Sequence, residues 1–198
     1  IKQLNPEIKN RTGSLEEFFR DARLDFFIHA ARKIKADKVA LGHNLDDQAE
    51  TILMRLLRGT GLSGLSGISP KRKIKDTIFI RPLLETSRRE IEDFLKRKGI
   101  KPRIDSTNKQ DLFFRNKIRH NLIPLLKNKY NQNIVEVLAN LAESSSYDYE
   151  YLDQVARSRV EGGILRLNIK KAVKLHPAIL RLKIRHAIAC IQGDTRRI

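Results

Sequence analysis

The sequence predicts an α/β fold, a parallel sheet with helices packed on it over residues 1–104, followed by a smaller helical domain over residues 105–198. Three observations carry this expectation. Helical periodicity alternates with short apolar runs as far as Gly99, the composition turns polar and helical between Pro102 and Thr107, and no strand pattern then appears before Ile164–Leu167.

The elements follow in order. Ser14-Leu15-Glu16-Glu17 is a capping box, and Leu15, Phe18, Phe19, Ala22, Phe26 and Ala30 recur at helical spacing, so a helix is expected from about Leu15 to Lys35. Asp37 leads into Lys38–Gly42, a short apolar run that reads as a buried parallel strand. A second helix is expected from about Asp46 to Arg58, with Ile52, Leu53, Leu56 and Leu57 as its buried face and Gly59 as its stop. Gly59 to Ile68 is too glycine-rich for a helix interior and too apolar for a solvated linker, which leaves an ordered or closable loop. After the basic run Lys71–Lys75, Thr77–Ile80 reads as a strand that Pro82 ends or confines to an edge. Ser87-Arg88-Arg89-Glu90 is another capping box, and Ile91, Phe94 and Leu95 give its helix an apolar stripe that Gly99 closes.

Beyond residue 105 a long helix is expected over Asn133–Val160, with Ile134, Val137, Leu138, Leu141, Leu152 and Val155 inward and a break or fraying at Ser144–Ser146. Gly162-Gly163 would end it. Pro177 starts a last helix whose core side is Ile179, Leu180, Leu182, Ile184, Ala187, Ile188 and Ile191.

Bulk properties narrow the function. With 40% apolar residues, 198 residues suffice for a sizeable core. Lys and Arg number 40 against 23 acids, a formal charge of +17, which is the footprint of a nucleic-acid partner; an inert basic surface is the plainer alternative. No apolar run spans a bilayer and no signal peptide opens the chain, so a cytoplasmic protein without a membrane partner is expected. Cys190, the one cysteine, stands in an apolar stretch and reads as a small buried hydrophobe. The chain opens on Ile1 and stops at Ile198 without a polar tail, from which further sequence at both ends is expected.

The segment Gly42-His43-Asn44-Leu45-Asp46-Asp47 occupies the carboxyl end of a strand and the amino end of a helix, where α/β folds bind ligands. Gly42 admits close backbone approach, His43 can donate to phosphate or stack on a base, and the acidic pair can hold Mg²⁺. Equally, Asn44 or Asp46 caps the helix and the carboxylates complement its dipole. Arg115 and Arg119, spaced i, i+4, share a helix face, which by itself suits surface cations.

Gly42-His43-Asn44-Leu45-Asp46-Asp47-Gln48-Ala49-Glu50-Thr51 with Arg55-Leu56-Leu57-Arg58-Gly59-Thr60-Gly61 resembles the central signature of the tRNA(Ile)-lysidine synthetases, a branch of the PP-loop ATP pyrophosphatases. In the same order, Ser14–Glu17 with Arg20 and Arg23, Arg81-Pro82-Leu83-Leu84, and Asp105–Asn108 with Arg115–His120 are similar to the family's other blocks, so the resemblance runs from about Ser14 to the end. The chain departs from the pattern in three places: it lacks the Ser-Gly-Gly-x-Asp-Ser phosphate loop, Asn44 replaces a second histidine, and Leu24 replaces a common tyrosine.

The resemblance implies a Rossmann-like, adenine nucleotide alpha hydrolase-like PP-loop domain. It also implies a two-step reaction in which ATP adenylates carbon 2 of the wobble cytidine of an isoleucine tRNA with a CAU anticodon. The ε-amine of free L-lysine then displaces AMP. Asp47 is implied as the residue that positions Mg²⁺ or the substrate amine, Arg115 and Arg119 as catalytic cations, and His43 and Gly42, with Arg23 and Arg81, as nucleotide contacts. Arg58, Lys71, Arg72, Lys73, Asn116 and His120 are implied on the tRNA side, and a homodimer is the family's expectation. The rivals are a PP-loop enzyme that thiolates tRNA, disfavoured by a single cysteine, and a noncatalytic RNA-binding module.

Overall fold

The computed structural model describes residues 15–102, 114–157 and 169–192. The Ser14 cap, the Asp105–Asn108 block, Gly162-Gly163 and the expected strand at Ile164–Leu167 lie outside these residues. The chain forms two compact units, Ile1–Gly42 with Pro70–Pro82, and His43–Ser69 with Leu83–Ile198.

The first unit is α/β. Helix α1, Leu15–Lys33, packs on strand β1, Lys38–Ala40; β2, Lys71–Ile74, and β3, Thr77–Ile80, complete a sheet of order β1-β3-β2. β1 runs parallel to β3, with Val39 opposite Phe79, while β2 is antiparallel to β3, with Arg72 opposite Phe79. The sheet is therefore mixed rather than wholly parallel. Strand β2 forms from the basic run although Lys75-Asp76 lacks the Asn-Gly or Asp-Gly signature of a two-residue hairpin; Lys75 takes φ 55. Phe79, Ile28 and Ala31 are buried, whereas β1, expected as a buried strand, is exposed at Lys38 and Ala40. Phe19 and Phe26, expected to face inward, are half exposed: the face of α1 that carries Ile28 and Ala31 is the one packed inward.

The second unit is helical: α2 Leu45–Arg58, the short turn α3 Leu62–Leu65, α4 Arg88–Arg97, α5 Phe114–Lys117, a π-helical turn at Ile118–Leu122, α6 Ile123–Lys129, α7 Ile134–Ala156, α8 Ile169–Ala172 and α9 Pro177–Gln192. Its core joins Ala49, Ile52 and Leu53 of α2 to Ile118, Ile123, Val135, Leu138 and Ala142. Burying a side chain such as Ile52 contributes about 1.5–3 kcal/mol.

Several sequence expectations are corrected here. Leu56 and Leu57 are exposed, and the buried face of α2 lies one turn earlier, at Gln48, Ala49, Glu50, Ile52 and Leu53, because α7 and the Arg115 segment pack on its first half. α7 runs unbroken through Ser144–Ser146: the Ser144 hydroxyl donates to Leu141 O at 3.2 Å, so the serine bonds within the helix instead of breaking it. Val137, Leu141 and Val155 are exposed, and Val135, Leu138 and Ala142 take the core. Leu182 is buried on α9 but Ile184 is not, and Cys190 is exposed. Among the described residues no helix is long and apolar enough to cross a membrane.

Candidate active site

α2 begins with a reciprocal cap. Asn44 is extended, its Oδ1 accepts from the Asp47 N–H at 2.9 Å, and Asp47 Oδ2 accepts from the Asn44 N–H at 3.1 Å. Leu45 N–H donates to Thr86 O at 3.0 Å, and Asp46 Oδ2 accepts from the Arg88 N–H at 2.7 Å. Asn44, not Asp46, is the cap; Asp46 instead satisfies the first turn of α4.

Asp47 and Glu50 are spaced i, i+3 and so share a face of α2. Arg115 and Arg119 reach both of them. Asp47 Oδ1 accepts from Arg115 Nη2 at 2.9 Å and Arg119 Nη2 at 3.1 Å. Glu50 Oε2 accepts from Arg115 Nε at 2.7 Å and Arg119 Nη2 at 3.0 Å, and its Oε1 accepts from Arg119 Nε. Two carboxylates thus face two guanidiniums, and the Glu50 side chain is 1% exposed. Ion pairs this desolvated hold geometry far better than surface pairs, and removing one partner strands a buried charge. Burial alone would lower the Arg119 pKa, but the Glu50 hydrogen bond and the charges of Glu50, Asp47 and Asp46 outweigh it and raise the pKa above the ordinary value. The π-helical turn opens directly after Lys117, between the two arginines, where its wider turn replaces the regular α-helical repeat.

The surrounding segments are tied down. Arg55 Nη1 donates to Gly64 O at 2.7 Å and Gly67 O at 2.9 Å, and burial pushes its pKa down. Gln48 accepts from the Ile68 N–H at 2.6 Å and donates to Ile68 O at 3.3 Å. Gly67 takes φ 61, which strains any L side chain, and a Cβ there would meet the Gln48 side-chain oxygen at 2.5 Å and push it from Ile68. The Ser66 hydroxyl donates to Ser145 O on α7 at 3.2 Å. The glycine segment thus contains a helical turn and is anchored along its second half, from Gly64 to Ile68.

Of the residues singled out in the sequence, Asp47, Arg115 and Arg119 come together. Asn116 beside them is buried, His120 is exposed and hydrogen-bonded or otherwise engaged, and Arg58 lies over the Phe114 ring at 5.2 Å. His43 is half-buried immediately before the cap. Gly42, Arg23 and Arg81 belong to the other unit; Gly42 and Arg23 are exposed, and the Arg81 pKa is lowered by burial and by the charge of Arg72. Glu50 was not singled out. Its signal was available: a lone acid between Ala49 and Ile52 on the apolar face of α2, which needs a buried partner.

Asp47 was expected to hold Mg²⁺. Among the described residues no group of three His, Cys, Asp or Glu side chains is arranged to hold a metal ion, and both Asp47 oxygens and both Glu50 oxygens already accept hydrogen bonds. The guanidiniums occupy Oδ1 of Asp47 and both oxygens of Glu50, while Asp47 Oδ2 faces the Asn44 N–H.

The charge cluster at the first turns of α2 lies wholly within the helical unit. Comparison with known proteins makes the class specific. The family model described as PP-loop domain matches residues 1–126, and the chain belongs to that family. It is 40% identical over 98% of its length to a tRNA(Ile)-lysidine synthase of Clostridioides difficile (strain 630), covering 44% of that protein. It is 39% identical over 94% of its length to one of Clostridium tetani, covering 40%, and 38% identical over 97% to one of Solibacter usitatus, covering 44%. The chain thus spans less than half the length of these relatives. A solved U34-tRNA thiolase of Methanococcus maripaludis, bearing a [4Fe-4S] cluster, matches with a TM-score of 0.51 and 24% identity over 71% of this chain and 47% of that one; the likeness is one of fold.

Proposed function

We propose that this chain is part of an ATP-dependent tRNA-modifying ligase that adenylates the wobble cytidine of tRNA(Ile) with a CAU anticodon and joins free L-lysine to it. The observation that carries the reading is the buried Asp47–Glu50–Arg115–Arg119 cluster, built from the very blocks that resemble the lysidine synthetases. Its support is the run of relatives of that name along nearly the whole chain. Residues 1–104 are assigned the nucleotide-binding and catalytic part and residues 105–198 a helical part that binds the substrate.

The chemistry asked of these side chains is electrostatic. Adenylation places negative charge on the departing pyrophosphate, and displacement places it on departing AMP; fixed guanidiniums stabilise such charge without reorganising at the moment of reaction. Arg115 and Arg119 supply the cations, Glu50 holds both in place, and Asp47 orients the attacking lysine amine. His43, Gly42, Arg23 and Arg81 are assigned to ATP, and Arg58, Asn116 and His120 to the tRNA, on the resemblance.

The complete protein is expected to incorporate labelled lysine into a CAU-anticodon isoleucine tRNA transcript when given ATP and Mg²⁺; no incorporation sinks the reading. Asp47→Asn should abolish incorporation while the circular dichroism spectrum stays native. Retained activity would return Asp47 to the role of a helix cap.

A further inference from the structure

Residues 114–129 form one continuous helical run made of α5, the π-helical turn and α6. The backbone stays helical across both junctions: Lys117 takes φ −60 and ψ −40, Leu122 φ −73 and ψ −49, and Ile123 φ −60 and ψ −47. Proline is at home in the first turn of a separate helix, but Pro124 stands inside this run. Wound as an α-helix, the run would find no N–H at Pro124 for the carbonyl of His120, and the ring would clash with that carbonyl. The turn before it takes another course. The Ile123 N–H donates to Ile118 O, five residues back, so one residue more than an α-helical turn holds is fitted between them.

The packing carries the same signature. Ile118 and Ile123 are 2% and 7% exposed and share one core with Ala49, Ile52 and Leu138. Residues five apart point about 140° away from each other on an α-helix, so regular winding would bury only one of them there. The π-helical turn brings both to one side. Arg115 precedes that turn, Arg119 is its second residue, and Ile123 with the partly buried Leu126 follows it. Wound as an α-helix throughout, a run held at Ile123 would carry the arginines by up to about 100° round its axis, away from Asp47 and Glu50. The far side of the turn is the firmer one: the Tyr130 and Asn131 N–H groups both close on Leu126 O, and α7 follows at once. The arginine side is therefore the side that would turn.

We infer that Pro124 is a positioning residue of the candidate active site. By excluding α-helical winding it holds the π-helical turn, and the turn keeps Arg115 and Arg119 on the two carboxylates while Ile123 stays in the core. Its consequence for catalysis rests on the proposed ligase activity.

Two measurements on the complete protein test this. One is lysine incorporation. The other is the pair of arginine Nε–H signals in ¹⁵N NMR, because Arg115 Nε and Arg119 Nε both donate to Glu50; Arg115→Lys and Arg119→Lys assign them by removing one each. Pro124→Ala supplies the missing N–H and removes the ring. It should lower kcat about 10–100-fold with the KM for ATP near its native value, and both Nε–H signals should broaden or disappear. Deleting Asn121, an exposed residue of the turn, from the Pro124→Ala protein leaves a plain α-helix with Ile118 and Ile123 four apart, and both signals and kcat should return. A proline that merely stiffens the chain predicts the opposite, a shifted unfolding midpoint in Pro124→Ala and further damage from the deletion. An unchanged pair of signals in Pro124→Ala overturns the inference, as does a deletion variant that fails to recover both. Should Pro124→Ala not fold, the deletion variant decides: a folded protein with both signals supports the register, and one that stays unfolded overturns it. Signals lost and regained in a protein that incorporates no lysine keep the register device and fail the ligase. Incorporation at the native kcat in Pro124→Ala, with both signals in place, does the reverse.

Discussion

α2 and α4 open with the same local device. At α2 the Asn44 side chain accepts from the Asp47 N–H and Asp47 returns the bond; at α4 the Ser87 hydroxyl accepts from the Glu90 N–H at 3.2 Å and Glu90 accepts from the Ser87 N–H at 2.8 Å. Glu90 spends its charge on its own cap in open solvent, and no residue of α4 is buried. Asp47 keeps one oxygen for the cap and turns the other to two guanidiniums, with Glu50 one turn on completing the cluster. One motif thus serves as punctuation at α4 and as part of a charge cluster at α2. The difference lies in what packs above the first turn: at α2 it is the segment that carries Arg115 and Arg119.

That contrast can be broken at several points. The largest effect is expected from Glu50→Ala, which leaves two arginines facing a buried void; about 3–5 kcal/mol of unfolding free energy should be lost in urea denaturation. Glu50→Gln keeps the volume and should cost less while still weakening ligase activity, because the amide cannot accept from both guanidiniums as a carboxylate does. Equal stability of Glu50→Ala and the native protein would mean that the cluster is loosely solvated. Ser87→Ala removes an ordinary cap and should cost about 1 kcal/mol, with no change in lysine incorporation. A matching loss of incorporation would place α4 in the site.

The smallest effect is a pH dependence. The Glu90 carboxyl is held below its ordinary pKa, first by the Ser87 hydroxyl and then by the Ser87 N–H. A depressed carboxylate contributes stability that is present above its unfolded pKa and lost as pH falls through the folded value. The stability gap between the native protein and Ser87→Ala should therefore narrow on acidification below the usual glutamate range. A gap that is flat with pH would show that the cap does not depend on the carboxylate.

Much of the fold was legible because local rules decide it. The starts of α4 and α9, the stop at Gly59, and the strand Thr77–Ile80 each follow from a cap, a proline, a glycine or a β-branched run. The buried faces of α1, α2 and α7 were less legible. Their apolar residues ring more than one side, so periodicity alone leaves the inward face open, and the packing partner selects it. β2 escaped because Lys71, Arg72 and Lys73 are all exposed, so the strand carries no apolar alternation to read.

Among the candidate site residues, Asp47, Arg115 and Arg119 were visible as motif positions, but nothing in the linear order says that residues 65 to 72 positions apart share two carboxylates. Glu50 shows the division most clearly. The sequence by itself determined the capping box at Ser87, the basic balance, the family signature and the i, i+3 spacing that puts Asp47 and Glu50 on one helix face, because these depend on neighbours along the chain. Only the tertiary structure decided that this face is covered and that both arginines end on it. It also decided that Asp47 turns one oxygen to both guanidiniums. Burial and long-range pairing depend on which surfaces meet, and local propensity carries no term for that.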